Sequence, residues 1–203
     1  MKIGSLSLII ILLSFRQGAY GHSPSVGKVL ATAGPYVHQV QEVHVHDNDS
    51  SPADLGFGIL GEGDLSTKGG LEMGFFYGTK TYEHGIGGGE IAERVNKLSV
   101  PVGFRYWIDP KFSACLAFNA SYTMGVPKVI FNTAPPGADT SARSITEYGI
   151  DFSGQWEPWS NDKFAAVIDA RYFYSLTAEK AEDGNQFAVL IGLKYLIQEK
   201  SPE

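Results

Sequence analysis

Three closely spaced histidines, His38, His44 and His46, precede Asp47 and Asp49. Imidazole and carboxylate together suit zinc or copper, which makes these histidines the metal-ligand candidates of the chain. Their spacing matches no ligand motif, and His and Asp are ordinary at the entrance to a polar loop, so the expectation is no metal and no cofactor. Gly85-Ile-Gly-Gly-Gly89 is as glycine-rich as a phosphate loop but lacks the Lys-Ser/Thr ending and a βαβ setting, and it reads as a flexible loop. Acyl transfer or proteolysis needs a base beside a nucleophile. Every histidine lies at or before His84, so only His84 with Glu83 or Glu90 and a loop serine offers that chemistry. The reading is that the chain is not an enzyme.

A second constellation is more regular. Glu62, Glu72, Arg105, Asp151, Glu157, Asp169, Arg171 and Lys194 all fall on the polar side of a two-residue alternation, together with Asn119 and Gln155. A charged face that alternates with an apolar one must turn inward if the apolar one meets lipid. Charges enclosed in this way must be paired, so these eight residues are expected to form a salt-bridge network that plugs a lumen. The alternative is a narrow or gated polar path for ions or small solutes. Gly56, Gly58, Gly74, Gly78, Gly103, Gly149 and Gly192 share the inner face and would leave it room.

The elements that position these charges follow from the same alternation. Leu98, Val100, Val102, Phe104, Tyr106 and Ile108 alternate with Ser99, Pro101, Gly103, Arg105 and Trp107, and Phe187 to Ile197 repeats the pattern. A period of two means strand. Strand character covers about 28–46, 54–64, 69–82, 94–108, 111–124, 144–158, 163–176 and 186–198. The first is the weakest because Pro35 interrupts it, which suggests an edge or a bulge. Short turns at Leu65–Lys68, Asp109–Pro110 and Trp159–Asp162 alternate with longer connections at 47–53, 83–93, 125–143 and 177–185. Short turns on one side and long loops on the other are the signature of an outer-membrane barrel. Tyr82, Trp107, Tyr122, Trp156, Trp159, Phe164, Tyr174 and Tyr195 stand near segment ends, where an interfacial girdle belongs.

Composition sets the bounds. The 203 residues suit one all-β domain plus a leader. Residues 1–21 read as a signal peptide, with Lys2 as the basic start, Leu6 to Leu13 as the apolar core and Ala19-Tyr20-Gly21 as a small-x-small cleavage site. Removing Lys2 and Arg16 with it takes the formal charge from −6 to −8, so nucleic acid is not expected as a partner. The lone Cys115 cannot form an internal disulfide and reads as a small packed residue. The expected organisation is a signal peptide at 1–21, an N-terminal segment with the weak first strand at 22–53, a barrel at 54–198 and a tail at 199–203.

The run Leu98-Ser-Val-Pro-Val-Gly-Phe-Arg-Tyr-Trp-Ile108, then Asp-Pro-Lys, then Phe112-Ser-Ala-Cys-Leu-Ala-Phe-Asn-Ala-Ser-Tyr122 resembles small bacterial outer-membrane β-barrel proteins of the OmpA/OmpX-like superfamily, the outer membrane protein beta-barrel domain. The resemblance spans about Asp54 to Ile197. It implies an all-β fold, an eight-stranded antiparallel up-and-down transmembrane β-barrel inserted by the outer-membrane assembly machinery, and it carries no catalytic motif. Such proteins usually end on an aromatic residue, whereas here Gln198-Glu-Lys-Ser-Pro-Glu203 follows Tyr195. The expected function is a monomeric, non-enzymatic envelope or surface-interaction barrel with periplasmic termini. It would be surrounded by outer-membrane lipid including lipopolysaccharide, with loop 125–143 as the element that meets an extracellular partner. A small porin-like channel and a soluble lipocalin-like binder with its faces inverted are the alternatives.

Overall fold

The computed structural model describes residues 24–40, 53–86, 88–133, 135, 146–177 and 184–199. Eight strands, β1 (Val29–Val40), β2 (Asp54–Asp64), β3 (Gly69–Ile86), β4 (Gly89–Trp107), β5 (Phe112–Asn132), β6 (Glu147–Ser160), β7 (Phe164–Ser175) and β8 (Gln186–Gln198), follow one another around a closed barrel. Every pairing is antiparallel, and β1 closes the ring against β8. Closure leaves no unpaired edge around the ring, the only arrangement in which a sheet can cross lipid.

The alternation sorts the side chains. Phe57 and Phe118 are about half exposed, at 50% and 51%, whereas Leu60 and Asp169 are at 0%. Ile59, Phe75, Tyr77, Phe104, Leu116, Phe152, Ile191 and Leu193 continue the exposed apolar band around the outside. The apolar residues therefore coat the barrel instead of lining a cavity, which overturns the inverted, lipocalin-like alternative.

Side chains build the three short turns. Asp109 Oδ1 accepts from the backbone N–H groups of Lys111 (2.7 Å) and Phe112 (3.0 Å). Asn161 Oδ1 does the same for Lys163 (2.9 Å) and Phe164 (2.8 Å), and Ser66 Oγ accepts from Lys68 and Gly69. These local bonds offer the backbone a compact reversal in place of the ladder.

Several sequence expectations are corrected. The first strand runs unbroken through Pro35, because its ladder to β2 continues through Pro35↔Phe57 while pairing with β8 skips Gly34 and Pro35, and its one irregularity is a register shift against β8 between Val29 and Leu30. The connection expected at 83–93 is a tight hairpin: β3 and β4 pair as far as Ile86↔Gly89, and Gly88 takes φ +87°, a turn conformation that glycine adopts freely. Likewise β5 does not stop before a loop at 125. Gly125 at φ +83° accompanies an irregularity in the ladder, after which β5 pairs with β4 as far as Asn132↔Ile91. Strands β3, β4 and β5, at 18, 19 and 21 residues, thus outgrow the 11 to 14 of the others. β6 reaches Ser160 by a bulge between Trp156 and Trp159, inside the turn expected at 159–162. The strict alternation of short and long connections therefore fails at β3–β4. There the extra chain is strand instead of loop.

Candidate functional site

The lumen is the site, and it is layered. Nearest the short turns, Lys194 Nζ donates to Glu157 Oε1 (2.7 Å), Glu62 Oε2 (2.8 Å) and Gln155 Oε1 (2.8 Å). An ammonium has three protons, and all three are used. Gln155 Nε2 returns a bond to Glu62 Oε1 (3.2 Å), and the Trp107 ring lies with its centroid 4.9 Å from Nζ. Trp107 is therefore a lumen residue at 3% exposure and not a member of the interfacial girdle, because its parity places it beside Arg105 on the inner face.

The next layer is a cycle of two guanidiniums and two carboxylates. Arg105 donates through Nε to Glu72 Oε2 (2.6 Å), with Nη2 against the same oxygen, and through Nη2 to Asp169 Oδ2 (2.9 Å). Ser113 Oγ accepts from its Nη1 (2.8 Å) and Ser153 Oγ from its Nη2 (3.1 Å). Arg171 Nη2 donates to Glu72 Oε1 (2.7 Å), and its Nε stands 2.6 Å from Asp169 Oδ1. Arg171 also lies over Phe76, 4.9 Å from the ring centroid. Five strands (β3, β4, β7 and, through Ser113 and Ser153, β5 and β6) are tied by these contacts. Asp151 is more loosely held, its Oδ2 accepting from Asn119 Nδ2 at 3.0 Å and lying 3.7 Å from Arg171 Nη1.

An apolar layer follows: Tyr36, Leu60, Phe76, Ala188 and Leu190. The inner glycines make room for it. A Cβ on Gly58 would sit 2.7 Å from the Phe76 ring, and one on Gly74 would sit 2.8 Å from both Leu60 and Phe76. The space those glycines leave is thus filled by neighbouring rings and methyls. Beside this layer a cavity lined by Ser99, Asn119, Ser121, Asp151, Phe173 and Gln186, among others, offers about 10 Å³ to the centre of a water molecule, room for one.

Toward the loop end, Lys80 Nζ donates to both Glu147 oxygens (3.3 and 3.2 Å) and to Gly184 O (3.3 Å), and Lys97 Nζ lies 3.2 Å from Glu147 Oε2. Lys80, Lys97 and Glu147 were not singled out in the sequence. The signal was available: the inner register of Gly78, Ser99 and Gly149, carried one step further, lands on these three residues.

The structure places Glu62, Glu157 and Lys194 in one cluster, Glu72, Arg105, Asp169 and Arg171 in a second, and Asp151 beside the second. His38 points inward at 4% exposure, stacked on Tyr36 with centroids 5.2 Å apart. It does not stand at an open loop entrance, because strand pairing to Asp54 and Ala188 carries it into the lumen. His44 and His46 lie outside the described residues, as do residues 1–21, where a signal peptide is expected, and residues 200–203. Among the described residues no group of three or more His, Cys, Asp or Glu side chains converges to hold a metal. The backbone of His84 pairs with Ile91, while the side chains of Glu83, His84 and Glu90 lie outside those described.

A closed eight-stranded meander with an apolar coat and an ion-paired interior is the architecture of the small outer-membrane β-barrels. No protein-family model matches the chain, and no curated protein does. Among solved structures it is similar to the outer membrane protein OprG from Pseudomonas aeruginosa, at 10% identity and a TM-score of 0.62 over 90% of this chain and 100% of that one. It is also similar to Ail, the attachment invasion locus protein of Yersinia pestis, at 16% identity and a TM-score of 0.53 over 85% of this chain and 99% of that one. A second Ail structure, in complex with the heparin analogue sucrose octasulfate, matches at a TM-score of 0.51. At such identities the likeness establishes the fold.

Proposed function

We propose that this chain is a non-enzymatic outer-membrane barrel with a sealed lumen, acting in the envelope through the surface at its loop end. The observation that carries this reading is the filled interior. Two clusters of ion pairs and an apolar layer lie in series along the barrel axis, and an eight-stranded ring leaves only enough interior for side chains. The short turns and both termini face the periplasm in this reading, and the elongated β3–β4–β5 sheet rises on the external side. Outer-membrane lipid, including lipopolysaccharide, surrounds the apolar band. The outer-membrane assembly machinery inserts the chain, which works as a monomer. The external sheet and the connection after it are the surfaces for an extracellular partner.

Two measurements test this. The membrane fraction, run on a gel with and without boiling, should show a heat-dependent shift in outer-membrane material. In planar bilayers the purified barrel should give no reproducible conductance. Steady openings that change on substitution of Asp169 or Arg171 would establish the channel alternative instead, and recovery of the chain in the soluble fraction would refute membrane insertion.

A further inference from the structure

We propose that Asp151 binds a proton inside the barrel and, as the neutral acid, closes a two-hydrogen-bond ring with the carboxamide of Asn119. The first bond of that ring is present, Asn119 Nδ2 donating to Asp151 Oδ2 at 3.0 Å. The other oxygen of each group, Asp151 Oδ1 and Asn119 Oδ1, is buried and has no partner. Two acceptors cannot satisfy each other, and a buried acceptor left without a donor is costly. One proton on Asp151 Oδ1 makes that oxygen a donor and gives Asn119 Oδ1 its missing bond. A single added atom thus removes both deficits.

The surrounding charges ask for the same proton. Around Asp151 stand Arg171 and Asp169 from β7, Glu72 from β3 and the Tyr36 hydroxyl from β1. Glu72 and Asp169 each engage both guanidiniums at 2.9 Å or less, whereas Asp151 stays 3.7 Å from Arg171 Nη1, beyond hydrogen-bond reach. Two guanidiniums thus face three carboxylates, and the nearest donor to an ionised Asp151 is Arg171 Nη1, which has no hydrogen-bond partner of its own and stands 3.7 Å away, too far to hold the charge by a hydrogen bond. Enclosed charges without partners are disfavoured, and a carboxyl group escapes by staying neutral.

Infrared difference spectroscopy of the refolded full chain at neutral pH tests the assignment. Subtracting the spectrum of Asp151→Asn from that of the unsubstituted protein should leave the carbonyl stretch of a protonated carboxylic acid. Absence of that band overturns the proposal. The heat-shift midpoint supplies a second arm. Asp151→Asn replaces acid–amide by amide–amide pairing and should move the midpoint by less than ~2 °C, whereas Asp169→Asn, which weakens two guanidinium pairs, should lower it by roughly 10 °C. A loss at Asp151→Asn as large as that at Asp169→Asn would show an ionised Asp151 paired with Arg171 and would overturn the proposal.

Discussion

The two halves of the lumen are closed by different means. Toward the short turns, each cation is shared among several carboxylates: Lys194 by Glu62 and Glu157, Arg105 and Arg171 by Glu72 and Asp169. Toward the loops the emphasis changes, with Lys80 and Lys97 both meeting the carboxylate of Glu147, above rings and methyls that need no partner. A shared, fully buried charge cannot lose one neighbour without stranding the rest, so the turn-side half should be brittle. The loop-side half can lose a contact and keep its shape.

The largest effect should come from Arg105→Met, which leaves Glu72 and Asp169 each short of a guanidinium. Breaking a buried network in this way costs about 3–5 kcal/mol, visible as a heat-shift midpoint lowered by roughly 10 °C. Lys194→Met should follow closely, since it removes three bonds at once, and the same gel assay checks it. A loss below that of the loop-side lysines would reverse the comparison. Phe76→Ala empties the apolar layer and also uncovers Arg171. Large-to-small core changes cost about 3–5 kcal/mol when the surroundings cannot collapse. It should lower the midpoint yet leave the bilayer silent, because the two ion-paired layers remain. Conductance in this variant would show that the apolar layer alone seals the lumen. Lys97→Met sharpens the contrast from the other side: Glu147 keeps Lys80, so the loss should be about 1 kcal/mol, a shift of a few degrees. Asp109→Ala should be smallest in equilibrium stability, within ~2 °C by the same assay, because only one exposed turn loses its side-chain acceptor.

Much of this was legible because a barrel wall obeys one simple rule. Period two assigns each side chain to lipid or lumen, so Glu72, Arg105 and Asp169 could be placed on the inner face from the sequence. What the rule does not encode is height. Nothing in the spacing says that Lys194 meets Glu157 while Arg171 meets Glu72, because height depends on the stagger between strands, which the turns and bulges set. For the same reason Tyr36, Leu60 and Phe76 were missed as a layer: each stands on the polar face of its own strand and becomes a cluster only when the ring closes. The ends of β3, β4 and β5 were misread because glycine-rich chain is ambiguous. Gly85 to Gly89 suits a flexible loop as well as a hairpin, and only the partner strand decides between them.

The circular strand order also bears on how the molecule forms. Seven of the eight pairings join neighbours in sequence, so each hairpin can zip on its own with little loop-closure entropy to overcome. The pairing of β1 with β8 is different, since it must bring Leu30 to Leu196 from opposite ends of the barrel sequence. Lys194 on β8 bonds to Glu62 on β2 across a separation of 132 residues, and that bond spans the seam. It therefore cannot exist in an open sheet. Pairings of this separation are the slow step of folding. Closure is then both the last event and the one that adds bonds across the lumen, such as Lys194 to Glu62, to pairs such as Glu72 with Arg105 that neighbouring strands already hold, so the passage from open sheet to barrel should be sharply cooperative.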